Sequence, residues 1–495
     1  MVKKIILTIL GSALIGITLL SFIDVYKEPE TEKTNSFTYA LGDVSNNLKN
    51  INSLSIREGD LITTTSRGLV LKNNEGKVEY DLAEEILVKD KGLHYEFKLK
   101  ENIKWSDGKE IKAEEIIGFF KELILNEEEE NIEGILNIYG AREFRKSKGT
   151  DTEKLAMIES EGKIVIRLNE IDKNFTEELT KPVYKLRKNL ELWEDIKTNY
   201  SIIICSGDYT IGNVKDDEII LKKSSYAKGS GPSELNIIRD MSEEVSMAKF
   251  ETGEVDIVVN PPSKQLNRLF TEGKLKTFPA KKGKYVYINS NDKKQDLNER
   301  KIIYKNLIEA INTYYKENEH YLEMAEYSYF LEDKSNLNNI QNRKVSTTKT
   351  TGELPEVLII MALDNQENRN ICNFIQTWFK ENTKTSLRYT LVKESEYKNL
   401  ALKDRYNVTL IDANLITDNK AEFFEEFEYW YTENQKKVFD KTKVANGDFK
   451  ELENILFSEY QILPLYFENK NVAVSKNVKE IYFDYYGNIQ FTLKE

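Results

Sequence analysis

Tyr95-Glu-Phe-Lys-Leu-Lys-Glu-Asn-Ile-Lys-Trp-Ser-Asp-Gly-Lys-Glu-Ile-Lys-Ala-Glu-Glu-Ile116 changes from one hydrophobic period to another within a single stretch. Tyr95, Phe97 and Leu99 alternate with Glu96 and Lys98, the pattern of a strand with one face in a core and the other in water. Asp107-Gly108 places a glycine where a tight turn requires positive φ. From Ala113 to Leu125 the apolar residues Ile116, Ile117, Phe120 and Leu123 follow helical spacing. Strand, turn and amphipathic helix in this order predict a mixed α/β chain.

The same reading extends outward. Phe37–Ala40 begins a first strand, and Leu61–Val70 is a helix or strand followed by a hairpin turn up to Val78. Ile164–Leu168 and Glu218–Lys222 are short strands. Val255–Val259 is a continuous apolar run, as in a sheet covered on both faces. Ile302–Tyr315 and Asn370–Glu381 have helical spacing. The second helix lies between the strands Val357–Ala362 and Leu387–Val392, which is a βαβ signature. The acidic tract Glu127–Glu130 is expected to be a solvated helix end, and Asp333–Gly352, polar and without a period, a long loop. His94 falls in the alternating strand and His320 in a charged helical stretch.

A chain of 495 residues has room for several domains. Lys and Arg number 71 against 83 Asp and Glu, so the net charge is −12, which gives no field to gather phosphates and argues against nucleic acid as a partner. Two His and two Cys exclude a Cys-rich zinc module or a disulfide scaffold. Cys205 and Cys372 are expected to be buried free thiols. With only 8 Pro, no Pro-rich linker marks a boundary.

Lys3 and Lys4 precede Ile5–Ile23, nineteen residues without a charge. As a helix this run is about 28 Å long, enough to reach across the hydrocarbon core. It is either a membrane anchor or a cleaved signal peptide, and in both cases the body lies outside the cytoplasm. Residues 24–36 form a polar tether.

No His-Glu-x-x-His, Gly-x-Ser-x-Gly, Gly-x-x-x-x-Gly-Lys or Cys-x-x-Cys occurs. Gly229-Ser-Gly231 lacks the third glycine of a dinucleotide loop. The expectation is therefore a protein without a catalytic site, cofactor or metal.

The stretch 95–116 resembles the signature of the extracellular solute-binding proteins of family 5, the oligopeptide-, dipeptide- and nickel-binding receptors of ABC importers. Other pieces agree in order: Gly68-Leu-Val with Leu82-Ala-Glu, Ile138-Tyr-Gly-Ala-Arg-Glu-Phe144, Ser206-Gly-Asp-Tyr209, Phe250-Glu-Thr-Gly-Glu-Val-Asp-Ile257 and Ile462-Leu-Pro-Leu-Tyr466. The resemblance implies a two-lobed, type II periplasmic-binding-protein-like α/β fold with an extra domain inserted in the first lobe. Lobe I would comprise 37–57, 201–271 and 463–495, the inserted domain 58–200 and lobe II 272–462. It implies a monomer that closes on a small ligand, most simply a peptide, and delivers it to an ABC permease.

In peptide receptors of the family an aspartate of the second lobe pairs with the ligand's amino terminus. The corresponding stretch here, Thr409–Asn419, has no Trp, no Asp-Tyr pair and no Pro. Asp412 or Asp418 substitutes for it, with Asn414 beside them, or both are solvated loop residues. Other ligand-binding positions implied by the resemblance are the extended segment Ser55, Ile56 and Arg57, then Tyr139, and Glu468 near the hinge. The weakened stretch leaves a second expectation open, a degenerate receptor kept as an anchored sensor or interaction protein.

Overall fold

The computed structural model describes residues 36–491 except 43, 52–55, 74–75, 228, 240–241, 279–281, 291–294, 336, 350–351, 416–419, 446 and 479–480. The leader at 1–23 and all of the tether but Ser36 lie outside the described residues, as do Ser55 and Asp418. Among the described residues no helix is long and apolar enough to cross a membrane. The chain divides into two compact units, Met1–Asn73 with Lys77–Met241 and Ile489–Glu495, and Asn74–Gly76 with Ser242–Asn488.

The first unit contains β1 (Ser36–Gly42), α1 (Ile56–Thr65), β2 (Ala83–Lys89), β3 (His94–Leu99), α2 (Ala113–Asn126), β4 (Met157–Ser160), β5 (Lys163–Arg167), β6 (Tyr209–Val214), β7 (Glu218–Lys223) and β8 (Glu234–Arg239). β1 runs parallel to β8, with Ser36 opposite Glu234, and β8, β7 and β6 follow antiparallel. Asp60 of α1 anchors this part. Its Oδ2 accepts from the Tyr39 hydroxyl at 2.7 Å and its Oδ1 from the Ile489 amide at 2.7 Å, across 429 positions of sequence.

A second, wholly antiparallel sheet has the order β2-β3-β5-β4. Tyr95 and Phe97 of β3 are buried while Lys98 faces out, as the alternation predicts. α2 covers the sheet with Ile116, Phe119, Phe120, Leu123 and Ile124. Gly108 has φ +85°, the turn geometry expected there. Trp105 is fully buried, and its Nε1–H donates to Glu115 Oε2 at 2.9 Å. The Lys112 amide donates to the same oxygen at 3.1 Å, and Lys188 Nζ donates to Oε1 at 2.8 Å. Burial pushes the Glu115 carboxyl up, but these three donors outweigh it and hold the group below its ordinary value.

The second unit contains β9 (Ile257–Val259), β10 (Leu275–Phe278), β11 (Lys282–Ile288), α3 (Leu297–Glu317), β12 (Leu322–Met324), α4 (Leu337–Thr348), β13 (Val357–Leu363), α5 (Gln366–Asn382), β14 (Ser386–Val392), β15 (Val408–Asn414), α6 (Lys450–Ser458), β16 (Ile462–Glu468) and β17 (Lys470–Val474). One sheet has the order β12-β16-β11-β15-β13-β14, and β17 lies between β10 and β9 in another part of the unit. β13 and β14 are parallel with α5 between them, so the βαβ reading holds. Asn469 alone separates β16 from β17. The core is rich in aromatic residues, including Tyr285, Tyr304, Tyr329, Phe424 and Phe457.

Four expectations are corrected. Asp333–Gly352 is not a loop, because α4 fills most of it. Its inward residues include Arg343 and Thr347, one turn apart and buried, so no apolar period exists to be read. Arg343 donates to Tyr327 O at 2.8 Å and Asn454 Oδ1 at 2.7 Å, and it pairs with Glu453. Glu127 is buried rather than solvated, accepting from the Glu128 amide and Asn131 Nδ2. His320 lies beyond the end of α3, stacked on Phe270 at 4.3 Å between ring centres. Ile56 and Arg57 are not extended but open α1.

Cys205 and Cys372 are buried free thiols, both pushed up to about 12 by burial. The native protein is expected to resist thiol-specific reagents at pH 8 and to react at both positions once unfolded in urea, as counted by mass spectrometry.

Candidate functional site

In the second unit, strand register assembles a charged cluster that no contiguous motif contains. β11 pairs antiparallel with both β15 and β16, placing Lys284 opposite Asp412 on one side and Tyr466 on the other. Residues directly opposite share a face of the sheet, and Glu468, two positions beyond Tyr466, returns to that face. α5 starts above this row. Asn365 caps it by accepting the Asn368 amide at 2.7 Å, which sets Glu367 and Asn368 in the first turn, where the helix dipole favours a carboxylate.

The Lys284 side chain is completely buried. Its Nζ donates to Asn368 Oδ1 at 2.8 Å and pairs with Glu367 Oε1 at 3.2 Å and with Asp412 Oδ1. Asp412 Oδ2 accepts from Asn368 Nδ2 at 2.9 Å and Asn365 Nδ2 at 3.4 Å. The Tyr466 hydroxyl donates to Glu367 Oε1 at 3.1 Å, and Tyr321 and Glu468 lie close enough to Glu367 to feel its charge. One ammonium thus faces three carboxyls. Burial, then the neighbouring Glu367, pushes the Glu468 carboxyl up to about 7, with Lys284 and Lys282 opposing. For Glu367 burial acts upward, but Lys284, Glu468 and Tyr466 outweigh it and hold the group low. The Tyr466 hydroxyl is raised by burial and by Glu367.

Of the residues singled out from sequence, Asp412 and Glu468 meet in this cluster. Asp412 is no loop residue; it sits within β15 and its charge is answered by Lys284. Asn414 ends the same strand. Arg57 and Tyr139 belong to the first unit. The Arg57 side chain hydrogen-bonds the Tyr39 hydroxyl, and Tyr139 is half exposed with its amide donating to Arg167 O at 2.9 Å. Lys284, Glu367, Asn368, Tyr321 and Tyr466 were not singled out. The available signal was Lys284 itself, which shares a strand face with Val286 and Ile288 and therefore needs a buried partner. Among the described residues no group of three or more His, Cys, Asp or Glu is placed to hold a metal ion.

The architecture is that of two-lobed α/β binding proteins. The model of bacterial extracellular solute-binding proteins, family 5 Middle, matches residues 77–304 of the chain. Among solved structures, NikA from Brucella suis in complex with Fe(III)-EDTA is similar with a TM-score of 0.68 at 15% identity, covering 93% of this chain and 100% of that one. The periplasmic murein tripeptide binding protein MppA, in its unliganded open form, gives 0.67 at 15% identity over 92% and 95% of the two chains. Haemophilus influenzae OppA in complex with RPPGFSPFR gives 0.57 at 14% identity over 90% and 95%. No curated protein matches the chain in sequence. The relatives form a family of extracytoplasmic binding proteins of ABC importers rather than of enzymes.

Proposed function

We propose that the chain is the extracytoplasmic solute-binding component of an ABC importer, held at the membrane by residues 5–23 or released from it, and that it captures a small ligand as a monomer. The supporting observation is the likeness in fold to MppA and OppA over at least 90% of this chain, with the family 5 match at 77–304. A peptide is the first ligand to test, since two of those relatives are named for or bound to peptides. Arg57, Tyr139, Asp412, Asn414 and Glu468, with Ser55, Ile56 and Asp418, are the candidate contacts.

One observation favours the second reading, a receptor that has lost its ligand and serves as an anchored sensor. Lys284 already supplies the cation for the Asp412 carboxylate that a ligand's amino group would otherwise provide. Native mass spectrometry of protein purified from its own host, followed by calorimetry with free and N-acetylated peptides, separates the two. Import predicts a co-purified ligand or binding near micromolar strength, about −8 kcal/mol. No bound mass and no heat from either peptide set would leave the sensor reading.

A further inference from the structure

Within the second unit the chain crosses twice between the six-stranded sheet and the strands β9, β17 and β10. β10 is followed by β11, and β16 passes into β17 through Asn469. A third link is not covalent. The turn 318–321 closes α3: the Asn318 side chain donates to Tyr314 O at 2.9 Å, and the Tyr321 amide donates to Asn318 O at 2.9 Å. β12 starts directly after the turn and pairs with β16, with Leu322 opposite Glu468. The turn therefore belongs to the body built on the six-stranded sheet.

Its other side grips the remaining strands. The His320 ring stacks on Phe270 of the short helix Leu266–Thr271, with 4.3 Å between ring centres, and His320 O accepts from Asn471 Nδ2 at 2.7 Å. Asn471 is itself fixed on β17. Its Oδ1 accepts from the Thr277 hydroxyl of β10 at 2.8 Å, and its O accepts from the amide of Asn260, just beyond β9, at 2.7 Å. At the crossing the Asn469 amide donates to Tyr321 O at 2.8 Å.

The two grips on His320 differ in what parting them costs. Asn471 is 2% exposed, and the other acceptor near its Nδ2, Asn469 O, is 3.5 Å away, so release leaves a buried amide poorly satisfied. Phe270 keeps 59% of its surface exposed, so its ring contributes little to a core and parts from His320 cheaply. Crossings this short are where a hinge bends, because a few residues at element ends absorb the rotation. A contact that spans the crossings without being part of them resists that rotation.

We propose that the turn 318–321 is a strap that holds the angle between the six-stranded sheet and the β9, β17 and β10 strands. The strap is engaged while Asn471 and Phe270 hold His320, and it is released when both contacts part and the chain bends at Asn469. Asn471 and Phe270 are then positioning residues, which act on the sheet angle and not on a ligand. The inference goes beyond the proposed part in import and holds whatever the ligand is.

Distances between two spin labels on the full-length chain, measured without ligand, test the strap. Lys276→Cys on β10 and Thr377→Cys on α5 are exposed labelling positions on the two sides, and the buried thiols of Cys205 and Cys372 stay unlabelled. One narrow distance distribution is expected for the wild-type strap. Phe270→Ala, and Asn471→Asp, which keeps the acceptor for Thr277 but loses the donor to His320 O, should each broaden it or add a second distance. Phe270→Tyr retains the stacked ring and should restore the narrow distribution. Phe270→Ala changes a surface position, so its unfolding temperature should stay within about 2 °C of the wild type. If Asn471→Asp does not fold, the comparison of Phe270→Ala with Phe270→Tyr decides alone. Superimposable distributions in the wild type and Phe270→Ala, or equal broadening in Phe270→Ala and Phe270→Tyr, overturn the proposal. Since no ligand is added, a failure to find one leaves this result untouched.

Discussion

Lys284→Met is expected to lower the stability of the second unit by about 3 kcal/mol, the low end of the range for removing one member of a buried ion pair. The lysine is fully buried, yet Glu367 and Asp412 keep 25% and 31% of their side chains exposed, so solvent screens part of the loss. Methionine fills most of the same volume, which confines the effect to charge and hydrogen bonding. Asp412→Asn removes one carboxylate but keeps the ammonium paired with Glu367, and its cost should be nearer 1 kcal/mol. Urea unfolding at pH 7 measures both. Combining Lys284→Met with Glu367→Gln should recover part of the loss, because the stranded charge goes with its partner. A Lys284→Met variant as stable as the wild type would mean that the cluster contributes nothing to the fold.

Trp105→Ala is expected to cost the first unit about 3–5 kcal/mol, the usual penalty for emptying a buried indole site. The ring is fully buried, Lys188 Nζ lies 4.8 Å above it, and its N–H holds Glu115 in place at the start of α2. Trp105→Phe separates the two contributions. It retains most of the apolar area and loses the hydrogen bond, so a loss of about 1–2 kcal/mol is expected. Denaturant melts followed by far-ultraviolet circular dichroism distinguish them. Equal losses in the two variants would show that the hydrogen bond to Glu115 carries the effect.

These two residues show what could be read in advance. The neighbourhood of Trp105 is local: strand, turn, helix cap and helix lie within one stretch, and the alternation of Tyr95 and Phe97 and the positive φ of Gly108 appear where the spacing put them. The cluster around Lys284 is not local. Its partner on β15 is 128 positions away, and register between distant strands follows from tertiary packing rather than from spacing along the chain. Asp412 and Glu468 were reached through a family resemblance, and the lysine that joins them was passed over. α4 was missed for a related reason: a buried arginine and threonine carry its inner face, and hydrophobic periodicity cannot detect a helix whose buried residues are polar.

Asp60 sets a timetable for the first unit. One of its oxygens is satisfied early by Tyr39, 21 positions away, while the other waits for an amide 429 positions downstream. β1 likewise waits for β8, whose first residue lies 234 − 36 = 198 positions after its own. Closing loops of that length is slow, and during synthesis it cannot begin before the distal segment exists. A polypeptide emerging from the ribosome therefore stays unfinished in this unit almost until residue 489 has been added.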